Sequence, residues 1–159
     1  VYIGRFRKET GYEELVDIFK NARKKINNYN LSLTLVGDDK KKKIKEKNLK
    51  VIKYINNETK LRNLYDTHQI FVLPSYTEGF PQVILESLAR KKPVIVFQEI
   101  KFLRKFYHNG LFISERNVIS FTNTIKYIIK NYNKIFKDIS KIKLVSKREY
   151  KKNLLQLIK

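Results

Sequence analysis

Glu78 and Glu86 frame the segment EGFPQVILE, and an ionised carboxylate set in an apolar stretch needs a partner or a ligand to accept hydrogen bonds from. Residues eight apart on an ideal helix differ by about 80° in direction, so neither glutamate is turned away from the other. The pair is therefore expected to face one cleft. Two ordinary explanations stand beside that one. Glu86 fits an exposed helix carboxylate or a partner of Lys or Arg, and Glu78 fits favourable charge at a helix start.

The setting narrows the choice. Around the pair the sequence reads PSYTEGFPQVILESLARKKPVIVF, which predicts a strand end, a turn, a helix, a basic turn and a second strand. Short apolar runs alternate with segments of helical period along the whole chain, the pattern of βαβ units and a parallel sheet. Strands are expected at Val1 to Ile3, Leu31 to Val36, Leu49 to Tyr54, Gln69 to Leu73, Pro93 to Phe97 and Leu111 to Ile113. A helix over Tyr12 to Ile26 puts Leu15, Ile18, Phe19 and Ala22 on one face. Asn57 is placed to cap a second helix carrying Leu61, Leu64 and Tyr65. A third begins near Pro81, which suits a first turn because its missing N–H leaves nothing unpaired there. Asp38 to Asn48 is nearly all charge and reads as an exposed helix or a crossover. After Val118 the chain is expected to be helical almost to its end, with residues 133–159 as a C-terminal helical segment. Ligands of such open α/β sheets bind at the carboxyl ends of the strands, beside helix N-termini that favour anions.

Composition bounds the remaining possibilities. The chain has 159 residues, 42% of them hydrophobic and 13% aromatic, enough for a single domain (1–159) with its own core. Thirty-five Lys and Arg against 15 Asp and Glu give a formal charge of +20. That charge attracts polyanions, although lysines on solvated helix faces are its plainer meaning. No cysteine is present, which excludes a disulfide, a thiolate nucleophile and a cysteine-based zinc site within these residues. No apolar run approaches the roughly 20 residues that span a bilayer, and the start VYIGRF lacks a signal pattern, so the cytoplasm is the expected compartment. The absence of methionine and the opening inside a strand lead us to expect a piece of a longer protein. Asp38-Asp39 reads as a helix cap rather than a metal site. His68 and His108 read as packing or surface histidines.

The spacing around the glutamates resembles that of the retaining glycosyltransferases of the GT-B fold, group 1 or family 4, in their C-terminal domain. The matching features are Pro74-Ser75, Glu78-Gly79-Phe80, the Glu-x7-Glu spacing of Glu78 and Glu86, and Pro93-Val94. Gly4-Arg5 after the first strand, Val36-Gly37 after the second, Leu64-Tyr65, and Asn109-Gly110-Leu111 extend the likeness in the same order. The fold it implies is α/β, a Rossmann-like parallel sheet with helices on both faces, forming the C-terminal half of a GT-B fold. The N-terminal acceptor domain would lie outside these residues.

The resemblance also implies roles. Glu86 would bind the ribose of a nucleoside diphosphate sugar, and Glu78 would address the donor sugar at the reacting centre. Arg5 would hold the diphosphate, whose departure builds negative charge that a fixed guanidinium can meet bidentately. Backbone groups around Gly79, Phe80 and Pro81 would approach the sugar and diphosphate, Pro81 itself donating nothing, and Gly37 belongs to the same set. No cofactor and no metal are implied. The chain departs from the pattern at Thr10, where the family carries a lysine before a glycine, and Lys8 is the candidate for that charge. It also has QEIKFLRKF where a glycine-rich loop would follow the fifth strand.

Three functions are thus in play. The first is a glycosyltransferase using a nucleotide-sugar donor and a glycan or lipid-linked acceptor, the second a degenerate domain of that fold binding protein or polyanion. Nucleic-acid binding comes last, since no aromatic-interleaved basic motif or recognition helix is present. The net charge also suits peripheral binding at an anionic inner membrane leaflet. Pelleting with anionic liposomes, but not with neutral ones, is the expected result; equal recovery with both would dismiss it.

Overall fold

The computed structural model describes residues 1–38, 46–107 and 109–144. Six strands and six α-helices follow in the order β1 (Tyr2–Ile3), α1 (Tyr12–Lys25), β2 (Leu33–Gly37), β3 (Leu49–Lys53), α2 (Glu58–Thr67), β4 (Phe71–Leu73), α3 (Gln82–Ala89), β5 (Val94–Phe97), α4 (Arg104–Tyr107), β6 (Leu111–Ser114), α5 (Val118–Lys130) and α6 (Tyr132–Ile139). All six expected strands are present, each within two residues of its expected ends. Every pairing is parallel, in two three-stranded sheets ordered β1-β2-β3 and β4-β5-β6.

The two sheets meet where β1 runs beside β4. The Val72 N–H donates to the Val1 carbonyl at 2.8 Å, and the Val1 nitrogen donates to the Ile70 carbonyl at 2.6 Å. In space the strands therefore succeed one another as β3-β2-β1-β4-β5-β6. The winding reverses between β1 and β4, which opens a crevice at their carboxyl ends, the usual ligand position in such folds.

Burial explains why the strands read as continuous apolar runs. Every residue of β2, β4 and β5 is buried, as required of parallel strands covered on both faces. The edge strand β3 alternates lysines with Leu49, Val51 and Ile52 and is mostly exposed; its lysines blunt a free edge. Leu15, Ile18, Phe19 and Ala22 bury the inner face of α1 as expected, with Tyr12 and Val16 buried beside them, and α5 joins the core through Phe121, Ile125 and Ile128, with the Phe121 ring stacked 6.0 Å from Phe97 of β5.

Three local expectations are corrected. Pro81 is not the first helical residue: its extended backbone (φ −72°, ψ 113°) places it at the N-cap of α3. The long terminal helix is broken at Asn131 (φ −110°, ψ 16°) into α5 and α6. The Asn131 side chain donates to the Tyr127 carbonyl at 2.8 Å, serving a helix end as asparagine commonly does. Helix α6 ends at Ile139, and residues 145–159 of the expected 133–159 helix lie outside the described residues. Segment 98–107, for which the sequence suggested only a lost glycine loop, forms a 3-10 turn over Gln98–Leu103 followed by α4. Most of the charged stretch after Asp38 also lies outside the described residues.

Candidate functional site

The reversal between β1 and β4 holds a cleft of about 400 Å³, and its lining includes Arg5, Arg7, Thr10, Ser75, Glu78 and Pro81. Two of its walls are short loops, and each is fixed by its own hydrogen bonds. After β1, the Tyr2 hydroxyl donates to the Arg5 carbonyl at 2.7 Å, and the Thr10 hydroxyl reaches the same oxygen at 2.9 Å and the Arg7 carbonyl at 2.6 Å. Burial, the largest cause, pushes the Tyr2 phenol up to about 12, so it remains a hydrogen donor. Asp38 Oδ1 accepts from the Phe6 N–H at 2.6 Å, so this aspartate serves the loop after β1; its neighbour Asp39 lies outside the described residues. Thr10, standing where a lysine was expected, is a clamp on this loop.

The wall after β4 carries Glu78. The buried Ser75 donates its hydroxyl to Glu78 Oε1 at 2.6 Å, leaving the second carboxylate oxygen for another donor. Gly79 is exposed with open space where a side chain would stand, and Phe80 is 59% exposed, its ring 6.3 Å from that of Tyr107. Pro81 closes the loop from a buried position, and Gln82 and Val83 bring the start of α3 to the cleft.

Glu86 has a different environment. It lies on α3 beyond the cleft lining, and its Oε2 accepts from the hydroxyl of Tyr65 on α2 at 2.8 Å. Tyr65 is 2% exposed, so the sequence alternative of a Lys or Arg partner for Glu86 gives way to a buried phenol. Burial foremost, then the Glu86 charge, raises the Tyr65 pKa. The structure thus brings Glu78 together with Arg5 and sets Glu86 apart from both.

Four other expected site residues also fall outside the lining: Gly79 and Phe80 in the loop just described, and Lys8 and Gly37. Lys8 is exposed in the 3-10 turn Lys8–Thr10, and Arg7, not singled out from the sequence, takes the lining position beside Glu9. Gly37 is buried, and a methyl there would collide with the Gly4 carbonyl oxygen and come within 2.8 Å of the Phe6 ring. Its glycine serves the close approach of the β1 loop to β2. His68 is a packing residue: Nε2 is 2.8 Å from the Thr34 hydroxyl and Nδ1 is 2.7 Å from the Leu64 carbonyl, and burial lowers its pKa. His108 lies outside the described residues. Among the described residues no group of three or more His, Asp or Glu side chains is gathered as a metal site.

Sequence reading missed Arg116, two residues past β6. Its Nε donates to Glu99 Oε1 at 2.8 Å, and the guanidinium lies 3.9 Å over the Tyr76 ring and 4.5 Å over Phe97. The nearby guanidinium holds the Glu99 carboxyl below its ordinary value, its hydrogen bond being the largest cause. A single arginine at a strand end carries no pattern in sequence; only its position between strand and helix cap, SERN, could have marked it.

Known proteins share this architecture. A family model described as glycosyl transferases group 1 matches residues 1–143. The capsular polysaccharide biosynthesis glycosyltransferase CapM of Staphylococcus aureus is 31% identical over 104 residues, covering 59% of this chain and 26% of CapM. The crystal structure of the C-terminal domain of a group 1 family glycosyl transferase (LpcC) from Francisella tularensis superposes with a TM-score of 0.67 at 21% identity, covering 88% of this chain and 79% of that one. The Anabaena protein HepE, solved in complex with UDP, gives a TM-score of 0.64 at 16% identity over 87% of this chain and 42% of its own. The chain thus spans about a quarter of CapM's length.

Proposed function

This chain belongs to the group 1 glycosyl transferases, and we propose that it is a nucleotide-sugar-binding domain serving retaining transfer to a glycan or lipid-linked acceptor. The observation that carries the reading is the convergence of Arg5 and Glu78 on one cleft at the β1/β4 reversal. UDP in the HepE structure supports a nucleoside diphosphate donor, and capsular polysaccharide synthesis by CapM supports a cell-surface glycan as product.

In this reading the diphosphate lies beside Arg5, between the loop after β1 and the start of α3 at Gln82 and Val83, with the backbone of Gly79 and Phe80 just ahead of that helix. Both are suited to anions, the first by its charge and the second by the free N–H groups and dipole of a helix start. As the bond from the anomeric carbon to the diphosphate breaks, negative charge grows on the leaving phosphate, and Arg5 meets it without a metal. Glu78, oriented by Ser75, is placed to address the sugar. Glu86 takes the ribose hydroxyls with the oxygen that Tyr65 leaves free. The acceptor would be bound by a domain outside this chain, with the enzyme working in the cytoplasm at the inner membrane face.

The test is transfer by the complete enzyme from a panel of UDP-, GDP- and dTDP-sugars, with the product's anomeric configuration read by NMR. Transfer with retention is expected; inversion, or no transfer from any donor, would contradict the proposal. A degenerate domain that binds without transferring is the second reading. It is favoured by Thr10 in the lysine position and by the helical segment 98–107 in place of a glycine loop. Donor binding without turnover in the same panel would select it.

A further inference from the structure

We infer that Arg116 is a positioning residue for the phosphate side of the donor cleft, an inference that rests on the nucleoside-diphosphate reading above. Arg116 stands at the carboxyl edge of the sheet, where the loops after β4, β5 and β6 meet the start of α1. Its guanidinium lies against Tyr76 from the β4 loop, Phe97 at the end of β5, and the Glu99 carboxylate just beyond it. On the side of α1, a methyl at Gly11 would come within 2.8 Å of Arg116 Nη1 and would strike the Pro74 carbonyl oxygen. Gly11 has a φ of 63°, which glycine adopts without strain, and its missing side chain leaves room for the arginine.

These neighbours lead directly into the cleft. Pro74 precedes Ser75, whose hydroxyl orients Glu78, and the Tyr76 N–H donates to the carbonyl of Glu9, a lining residue. Gly11 follows Thr10, which clamps the loop bearing Arg5. Arg116 therefore braces both walls from behind the cleft, without being one of the residues that line it.

Stability alone is a poor explanation for a cation here. Nη1 and Nη2 are buried and have no hydrogen-bond partner among the described residues, while Nε engages Glu99. Buried polar groups are normally paired, and an apolar side chain could pack on Tyr76 and Phe97 without desolvating a charge. A guanidinium in that slot does two things an apolar residue cannot. It fixes the spacing of the two walls through planar stacking, and it adds positive potential close behind the phosphate position, where low dielectric weakens screening.

Calorimetry with UDP, UMP, GDP and GMP tests this on the wild type, Arg116→Ala, Arg116→Lys and Gly11→Ala. UMP and GMP lack the second phosphate. Arg116→Ala is expected to weaken the bound diphosphate about tenfold while the matching monophosphate changes less than about twofold, since the ribose contact at Glu86 is untouched. Arg116→Lys keeps the charge without the planar stack and should lose about threefold, again only for the diphosphate. Gly11→Ala should reproduce the selective loss. Equal losses for both nucleotides, or no loss in Arg116→Lys and Gly11→Ala, would overturn the inference even if Arg116→Ala failed to fold. Wild-type protein that binds none of the four would overturn the nucleotide reading and this inference with it; binding of a diphosphate by the wild type with unchanged variants would overturn this inference alone.

Discussion

Glu86→Ala is expected to weaken nucleoside diphosphate binding by about 10- to 100-fold, the worth of one or two charge-assisted hydrogen bonds to ribose hydroxyls. It is also expected to destabilise the domain by about 1–3 kcal/mol, because the buried Tyr65 hydroxyl then loses its acceptor. The two effects are separable. Tyr65→Phe in the Glu86→Ala background removes the orphaned hydroxyl and should restore most of the stability while leaving affinity low. Tyr65→Phe alone leaves the carboxylate in place and should cost much less affinity. Thermal denaturation and calorimetry on the four proteins of this cycle give both coupling terms. If Glu86→Ala lost stability but bound nucleotide as well as the wild type, Glu86 would be a structural partner of Tyr65 and nothing more.

Arg5→Ala should show the opposite balance. The Arg5 side chain is exposed, and among the described residues no hydrogen bond or ion pair engages its guanidinium. Its removal should therefore leave the melting temperature within about 2 °C of the wild type, as surface substitutions usually do. Diphosphate affinity should fall by about 10- to 100-fold, because a bidentate guanidinium–phosphate contact is lost. The dependence of binding on salt should flatten too, since exposed charges are the ones that ionic strength screens. Arg5→Lys should recover only part of the loss, since an ammonium cannot make the planar two-point contact. A melting-temperature drop comparable with that of Glu86→Ala, with affinity unchanged, would remove Arg5 from the site.

The contrast between these two residues marks where the sequence was informative. The strands were legible because buried parallel strands must be apolar on both faces, as in Val94, Ile95, Val96 and Phe97. Asn57 was legible as a cap because its side chain has one local task, accepting the Lys60 N–H at 2.9 Å. Glu78 stood out by its spacing from Glu86 and Arg5 through the family resemblance, and the fold brings the two to one cleft because β1 and β4 run side by side. That junction is a tertiary fact. Periodicity gives no hint that strands nearly seventy residues apart will be neighbours.

What the sequence left open has the same origin. Helical geometry left Glu78 and Glu86 free to share a cleft, but Tyr65, from a different helix, sets the surroundings of Glu86. Gly37 entered the expected site through the family resemblance, while its crowding by Gly4 and Phe6 appears only once the β1 loop folds back. Lys8 and Arg7 differ by one position in a tight turn, and only the turn decides which of them lines the cleft. Asn131 is the one local signal for the break between α5 and α6. Arg116 had no partner within reach in sequence: Glu99, Tyr76 and Gly11 approach it from three other segments.

The claim that this cleft holds a nucleoside diphosphate is tested most directly by titrating the wild-type protein with UDP, GDP, ADP and dTDP in a calorimeter. At least one should saturate a single site with a dissociation constant on the order of 1–100 μM, and its affinity should fall in both Arg5→Ala and Glu86→Ala. The account would be contradicted if no nucleotide gave saturable binding, or if the best of them bound both variants as tightly as the wild type.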